Sequence, residues 1–175
     1  ANMGLKKNPR HAAFNRLAMY NNTDLKRFEE ALKAADVFFN ECDKADYSYL
    51  DYMYYGHLLE ELKKYDEAVG QYEKAVELDP TKTDLYKNIS SAYEQKNDYK
   101  KAIGAYHKYY SSLEKEKQTP DLQFQLGRLY YGAGTQPDSL TINAEERKQA
   151  LMSADSVFQV ISEAAPDLSL IHISE

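Results

Sequence analysis

One block of sequence occurs twice at a constant offset of 34 residues. Its copies are residues 65–75 and 99–109, in which tyrosine, alanine, glycine, tyrosine and lysine return at matching positions. A fixed offset of this size is the signature of a stacked-repeat protein, whose repeats are small supersecondary units. Because no such unit buries its apolar face alone, the units stabilise one another by stacking. The block therefore predicts a series of similar units.

Apolar residues recur three and four positions apart along most of the chain, as they do on one face of a helix. Interruptions of this spacing predict four helical hairpins, over residues 8–42, 47–80, 83–113 and 120–166. The polar residues 1–7 precede the first helix, so we expect a flexible lead-in there.

Short polar segments predict the turns of the first three hairpins. Residues 21–24 interrupt the first helical pattern, and Thr23 or Asp24 is expected to be the N-cap of the second helix. Residues 63–64 and 96–98 are expected to form the next two turns. Each turn is short, so the two helices that it joins should run antiparallel.

The last hairpin departs from this regular spacing. Residues 133–142 are rich in turn formers and predict an inserted loop. Asn143 and Glu146 follow with the spacing of a capping box, which predicts the start of the last helix. Before this hairpin, the charged residues 114–120 predict a solvent-exposed extension of the preceding helix.

Small and large residues alternate between the paired helices. Gly56 and Ala68 are small, which predicts a close approach of the two helices in one hairpin. Large aromatic residues of the second helices are expected to fill the gap before the next hairpin: Tyr72, Tyr106 and Phe158. The recurring mid-helix Gly70 and Gly104 each cost up to about 1 kcal/mol relative to alanine. Their recurrence favours a crowded contact, and an exposed position is the alternative.

Composition argues against several classes of function. The net charge of −6 and the pI of about 5.3 have the wrong sign for a phosphate-binding surface, so we expect no nucleic-acid partner. No apolar run approaches the roughly 18 residues that span a bilayer, so we expect a soluble piece without membrane insertion. Cys42 is the only cysteine, which excludes an internal disulfide and a cysteine-based zinc site.

Catalytic and metal-binding motifs are not recognisable in the chain. His57 with Glu60 and Glu61 comes closest, but three ligands from one short helix seldom close a metal site. Ser139 and Thr141 lack the G-x-S-x-G elbow of a hydrolase. We therefore predict no enzyme, no catalytic residue, no metal and no cofactor. A hydrolase that uses the His57 patch or the loop is the remote alternative.

Two segments carry the residue pattern of a known repeat. The first has Tyr52, Tyr55, Gly56, Leu59, Ala68, Tyr72, Ala75 and Pro80, and the second has Tyr86, Ile89, Ser90, Tyr93, Ala102, Tyr106 and Tyr109. Weaker copies begin near Leu17 and Leu126. With its helices paired, the chain resembles the tetratricopeptide repeat (TPR) family. The resemblance implies an all-α fold, a right-handed superhelical solenoid of antiparallel helix hairpins.

The resemblance also implies a function and a site. In this family the first helix of each hairpin lines a concave groove, which implies a noncatalytic scaffold for a protein or peptide partner. The groove residues carried over by position are Met53, His57, Glu60, Lys87, Asn88, Ser91, Glu94, Phe124, Arg128 and Tyr131. Only Asn88 matches the family's carboxylate clamp, so a chaperone-tail clamp is not expected. The alternative is a structural or self-assembly arm of a larger bacterial protein.

In its high tyrosine content and its inserted loop, the chain resembles TPR proteins of Bacteroides-like bacteria, which are often exported. This resemblance favours the periplasm as the compartment, with the cytoplasm as the alternative. Residues 168–175 look like the translation of a transposase adapter used in preparing sequencing libraries, which predicts a non-native tail. The start of a further helix is the alternative for this segment.

Overall fold

The computed structural model describes residues 8–42, 46–137 and 142–164. Within these residues there are eight α-helices and one 3₁₀ turn, at Lys115–Lys117. The α-helices are α1 (Ala12–Asp24), α2 (Phe28–Asn40), α3 (Tyr49–Glu61), α4 (Tyr65–Leu78), α5 (Leu85–Gln95), α6 (Tyr99–Ser112), α7 (Pro120–Thr135) and α8 (Ala144–Ala164). The predicted all-α class is therefore confirmed.

The chain divides into two compact units, Ala1–Leu85 and Tyr86–Glu175. In the first unit α1 packs against α2, α3 packs against α4, and α3 also contacts α1 and α2. Its core is built around Met19, Phe38 and Leu58, which are fully buried. Helices therefore pair in the chain order that the sequence predicts.

The second unit is built in the same way. Helix α7 packs against α8 and contacts α6. The hydroxyl of the buried Ser90 on α5 donates a hydrogen bond to the Ala102 carbonyl oxygen on α6, over 2.8 Å. Tyr106, Tyr109 and Leu126 lie in the core between α6 and α7.

Three hairpins close through one type of turn. Lys26, Lys63 and Asn97 have φ angles of 56°, 59° and 60°, in the left-handed region. In each turn the following amide donates to a carbonyl oxygen five residues back, over 2.8–2.9 Å. This is the Schellman motif that ends many helices. The first hairpin, whose sequence pattern is weakest, thus closes as the two clear repeats do.

The first turn lies later than predicted. Helix α1 runs to Asp24, so residues 21–24 are helical and neither Thr23 nor Asp24 is an N-cap. Thr23 is buried, and its hydroxyl donates to the Met19 carbonyl oxygen over 2.8 Å. This bond to the preceding helical turn satisfies the hydroxyl within the helix. Residues 25–27 make the turn instead.

Two further segments differ from their predictions. Helix α6 ends at Ser112, and residues 114–120 contain the 3₁₀ turn rather than an extension of the helix. The side-chain amide of Gln118 donates to the carbonyl oxygens of Tyr110, in the last turn of α6, and of Leu113, the C-cap of that helix. Helix α7 continues through Thr135, so the predicted loop at residues 133–142 starts later.

The predicted capping box is present at the start of α8. The Asn143 amide donates to Glu146 Oε2 over 3.0 Å, and the Glu146 amide donates to Asn143 Oδ1 over 2.9 Å. The lead-in, the loop residues Ser139 and Thr141, and the tail at residues 168–175 lie outside the described residues.

Glycines let an aromatic ring close two of the hairpins. A Cβ added at Gly56 would lie 2.7 Å from the ring of Tyr72, and one at Gly127 would lie 2.6 Å from the ring of Phe158. The predicted close approach is confirmed, but these two rings contact the glycine of their own hairpin. Among the three predicted gap-filling rings, Tyr106 reaches the next hairpin, because its hydroxyl donates to the Leu122 carbonyl oxygen over 3.0 Å.

The recurring glycines at positions 70 and 104 have a different environment. No atom lies within 4 Å of a Cβ added at Gly70 or Gly104. The expectation of a crowded contact is therefore wrong. Gly104 is exposed, as the alternative has it, whereas Gly70 is half-buried with open space beside it. Neither residue is needed for packing in this structure.

Alanine substitutions distinguish the two kinds of glycine. Gly56→Ala should lower the free energy of unfolding by about 1–3 kcal/mol, because the new methyl group overlaps the fully buried Tyr72 ring. Gly104→Ala should raise it by up to about 1 kcal/mol, because alanine has the higher helix propensity. Urea unfolding followed by circular dichroism measures both. Shifts of the same sign would contradict this packing.

Candidate functional site

The ten predicted site residues lie on the first helices of three hairpins. Three are on α3 in the first unit, and the other seven are on α5 and α7 in the second unit. The structure brings the α5 and α7 residues together through a contact between Glu94 and Arg128. The three residues on α3 therefore belong to one unit, and the seven on α5 and α7 belong to the other.

Arg128 on α7 is bound to Glu94 on α5 through both nitrogens of its fork. Nη2 donates to Glu94 Oε2 over 2.9 Å, Nη1 donates to Oε1, and Nε donates to Gln125 Oε1 over 3.0 Å. The hydrogen bond to Glu94 raises the pKa of Arg128. Two parallel hydrogen bonds between a guanidinium and a carboxylate fix the relative orientation of the two side chains and also pair their charges. Arg128 therefore joins two neighbouring first helices.

Several of the other side chains around this pair reach the surface. Tyr131 is 55% exposed, and Lys87 and Ser91 are also exposed. The Lys87 ammonium lies 5.4 Å from the ring centroid of Tyr109. Asn88 is half-buried, and so is Phe124, whose ring contacts Phe158 at a centroid distance of 5.6 Å. Lys87, Ser91 and Tyr131 thus lie on the exposed surface around the pair.

On α3, the three predicted residues differ in their surroundings. His57 is exposed, and Met53 is half-buried. Glu60 accepts a hydrogen bond from the Tyr72 hydroxyl over 2.8 Å, so it contributes to the closure of its hairpin. Leu50, which is 37% exposed, shares the outward face of α3 with Met53 and His57 because these residues are three or four positions apart.

Sequence reasoning missed a buried carboxylate between α1 and α3. Asp51 is fully buried and accepts from Arg16 Nε at 2.7 Å and from Arg16 Nη2 at 3.0 Å. The Tyr20 hydroxyl and the Ser48 amide also donate to it, each over 2.7 Å. Burial, then the bond to Asp51, raises the pKa of Tyr20. The Ser48-x-x-Asp51 spacing is a capping-box signal, but nothing local points to Arg16.

A histidine and a tyrosine meet between α6 and α7. His107 Nε2 lies 2.7 Å from the Tyr130 hydroxyl. Burial lowers the pKa of His107 and raises the pKa of Tyr130. The two groups are therefore hydrogen-bonded while both are neutral, and the tautomer of the imidazole decides which of them donates.

Neither a metal-binding group of side chains nor a membrane-spanning helix is found in the part of the chain that the structure describes. Across residues 8–42, 46–137 and 142–164, no three His, Cys, Asp or Glu side chains are grouped so that they could bind a metal ion. None of the helices in these ranges combines the length and apolar character needed to cross a membrane. Asn15 Nδ2 lies 3.9 Å from the sulfur of Cys42, the one cysteine in the sequence.

Comparison with known proteins identifies the repeat. Residues 56–97 match the family model of the TPR repeat. No curated protein matches the chain significantly. The predicted resemblance is confirmed: this segment matches the TPR repeat, and the chain has the helical fold of the solved structures to which it is similar.

Solved structures have the same fold at low sequence identity. The C-terminal part of a TPR repeat-containing protein from Cytophaga hutchinsonii is 22% identical, with a TM-score of 0.68 over 94% of this chain. The chain spans 57% of that protein's solved length. A structure of MamA is 18% identical, with a TM-score of 0.64 over 93% of this chain and 86% of its own.

Removal of the buried carboxylate should destabilise the first unit. Asp51→Ala leaves Arg16 and Tyr20 without their shared acceptor, so we expect a loss of about 3 kcal/mol in unfolding free energy. Glu41→Gln is the control, because its ion pair with Arg10 joins side chains that are 48% and 72% exposed. This control should change stability by less than about 1 kcal/mol. Chemical denaturation compares them, and equal losses would contradict the assignment.

The stability of the second unit should depend on His107 at acidic pH. Because burial lowers the His107 pKa from its ordinary 6.5, the unfolded chain binds this proton more readily. The contribution is complete above about pH 6.5 and is lost as the pH falls below it. His107→Gln should therefore lose less stability than the wild type between about pH 7 and about pH 5. Urea titrations at both pH values measure this, and equal losses would count against it.

Proposed function

We propose that the chain is a noncatalytic scaffold that binds a protein or peptide partner through the outward faces of its first helices. The observation that carries this proposal is the Glu94–Arg128 pair, which ties α5 to α7 while Lys87, Ser91 and Tyr131 remain exposed around it. A surface on tied helices is already in place before a partner arrives. Binding to it therefore costs little ordering of the scaffold.

The exposed side chains suit a peptide in particular. Tyrosine is enriched among the residues that contribute most to protein interfaces, because its ring buries a large area and its hydroxyl still forms hydrogen bonds. Tyr131 supplies such a group, while Lys87 and Ser91 can bind the carbonyl oxygens or carboxylates of a segment. The chain's net charge of −6 disfavours a nucleic acid on any comparable surface. The TPR fold of the solved relatives supports a protein partner.

The ten residues have unequal roles in this proposal. Arg128 and Glu94 set the spacing of α5 and α7, and Glu60 supports the Tyr72 ring. Contact with the partner falls mainly to Lys87, Ser91 and Tyr131 in the second unit. Met53 and His57 offer a corresponding surface on α3 in the first unit.

A displayed library of random peptides tests the proposal without a known partner. Peptides selected on the wild-type chain should bind Lys87→Glu and Tyr131→Ala variants at least about tenfold more weakly, which corresponds to about 1.4 kcal/mol. Lys148→Glu and Met152→Ala are matched controls on exposed positions of α8 and should bind as the wild type does. Titration of one labelled peptide gives the affinities.

Two results would overturn the proposal. One is a library that yields no saturable binder, and the other is a set of binders that ignores both substitutions. Sedimentation of the chain addresses the structural alternative. A mass that rises with concentration and falls in the Tyr131→Ala variant would instead favour a self-assembling arm.

A further inference from the structure

A cleft of about 220 Å³ lies between α6, α7 and α8 in the second unit. Its lining includes Ile103, Tyr130 and Ala150, which we call the floor because Ala150 is buried and the other two are half-buried. It also includes the polar Gln149 and Ser153, which we call the edge. One side is open to solvent. None of its lining residues is among the ten that the sequence predicts, so the cleft is distinct from the surface described above.

The early start of α8 accounts for this cleft. Helix α4 begins three residues before its packing alanine, Ala68, whereas α8 begins ten residues before the corresponding Ala154. The difference amounts to about two helical turns. These turns extend alongside α6, where Glu146 Oε1 lies 2.9 Å from Lys100 Nζ. The 34-residue pattern does not supply these turns, so the cleft belongs to the insertion rather than to the repeat.

The cleft has the dimensions of one aromatic ring. An apolar cavity of about 150 Å³ is known to take benzene. Pockets for drug-sized ligands begin at about 300 Å³, which is more than this cleft offers. Its open side leaves room for an occupant that remains attached to a larger molecule outside.

The lining favours a ring over an aliphatic group. Tyr130 lines the cleft, and its hydroxyl is held by a hydrogen bond with His107 Nε2 over 2.7 Å. Aromatic pairs gain attraction beyond the area that they bury. Lys100 and Glu146, which also line the cleft, form an ion pair over 2.9 Å, and the Lys100 ammonium can lie against an aromatic face. Gln149 and Ser153 can bind a hydroxyl or an indole N–H at the edge.

We propose that this cleft receives a single tyrosine or tryptophan side chain from a partner protein. The apolar floor takes the ring, the polar edge takes its hydroxyl or N–H, and the open side admits the backbone of the partner. The partner's main chain then crosses the second helices of this unit. The cleft is thus a second contact site, and it does not depend on the one proposed on α5 and α7.

Amino-acid amides provide a direct test. The chain has no tryptophan, so the fluorescence of N-acetyl-tryptophanamide reports on the probe alone when it is excited at the long-wavelength edge of indole absorption, where the 16 tyrosines do not absorb. We expect saturable binding of this probe and its displacement by N-acetyl-tyrosinamide. N-acetyl-leucinamide should compete at least about tenfold more weakly, because its side chain buries apolar area but cannot make aromatic contacts with Tyr130.

Variants locate the probe. Ala150→Phe fills the floor and should weaken binding at least about tenfold, with its fold checked by circular dichroism. Gln149→Ala changes only the edge, so it tests the site even if the first variant does not fold. It should weaken binding severalfold, whereas Met152→Ala, at a position 63% exposed on the same helix, should leave binding unchanged.

Each contrary result would overturn this proposal. These results are the absence of saturation, equal competition by the leucine amide, and unchanged binding in Gln149→Ala. The Lys87→Glu and Tyr131→Ala variants should bind the tryptophan probe as the wild type does. Failure of the peptide experiment on those two variants is therefore separable from failure at the cleft.

Discussion

The structure depends on the contact between a glycine of one helix and an aromatic ring of its partner. Tyr72 on Gly56 and Phe158 on Gly127 bring the paired helices closer than any residue with a Cβ allows. Because the ring fills the space inside the hairpin, the opposite face of the first helix remains directed outward. The same contact that sets the fold thereby defines which side chains can meet a partner.

Charged ties between neighbouring first helices add a second constraint. In the first unit Arg16 reaches the buried Asp51, and in the second Arg128 grips the half-buried Glu94. These ties connect helices of different hairpins, which the Gly56 and Gly127 contacts do not join. The charged side chains of these ion pairs position the helices. The side chains proposed to contact a partner are therefore exposed neighbours, such as Lys87 and Tyr131. Stability and binding therefore draw on different residues of the same helices.

The sequence predicts the repeated part of this architecture well, because local signals determine it. Helix α4 begins and ends as its apolar spacing indicates, and the turns at Lys63 and Asn97 lie within the predicted segments. The turn-forming residues 21–24 predict too early an end for α1. The helix continues to Asp24 because the burial of Thr23 outweighs its weak helix propensity. The arginine partners of Asp51 and Glu94 are 35 and 34 residues away in the sequence. Only the packed structure shows these two ion pairs. The cleft likewise follows from how far α8 overlaps α6.

Nuclear magnetic resonance tests the glycine–ring contact most directly. In the folded chain, the Gly56 Hα protons should give nuclear Overhauser cross-peaks to the Tyr72 ring, and the Gly127 Hα protons should give them to the Phe158 ring. The ring currents should also shift these Hα resonances away from the values of the exposed Gly104. Absence of both cross-peaks, with Hα shifts like those of Gly104, would contradict this account of how the hairpins close.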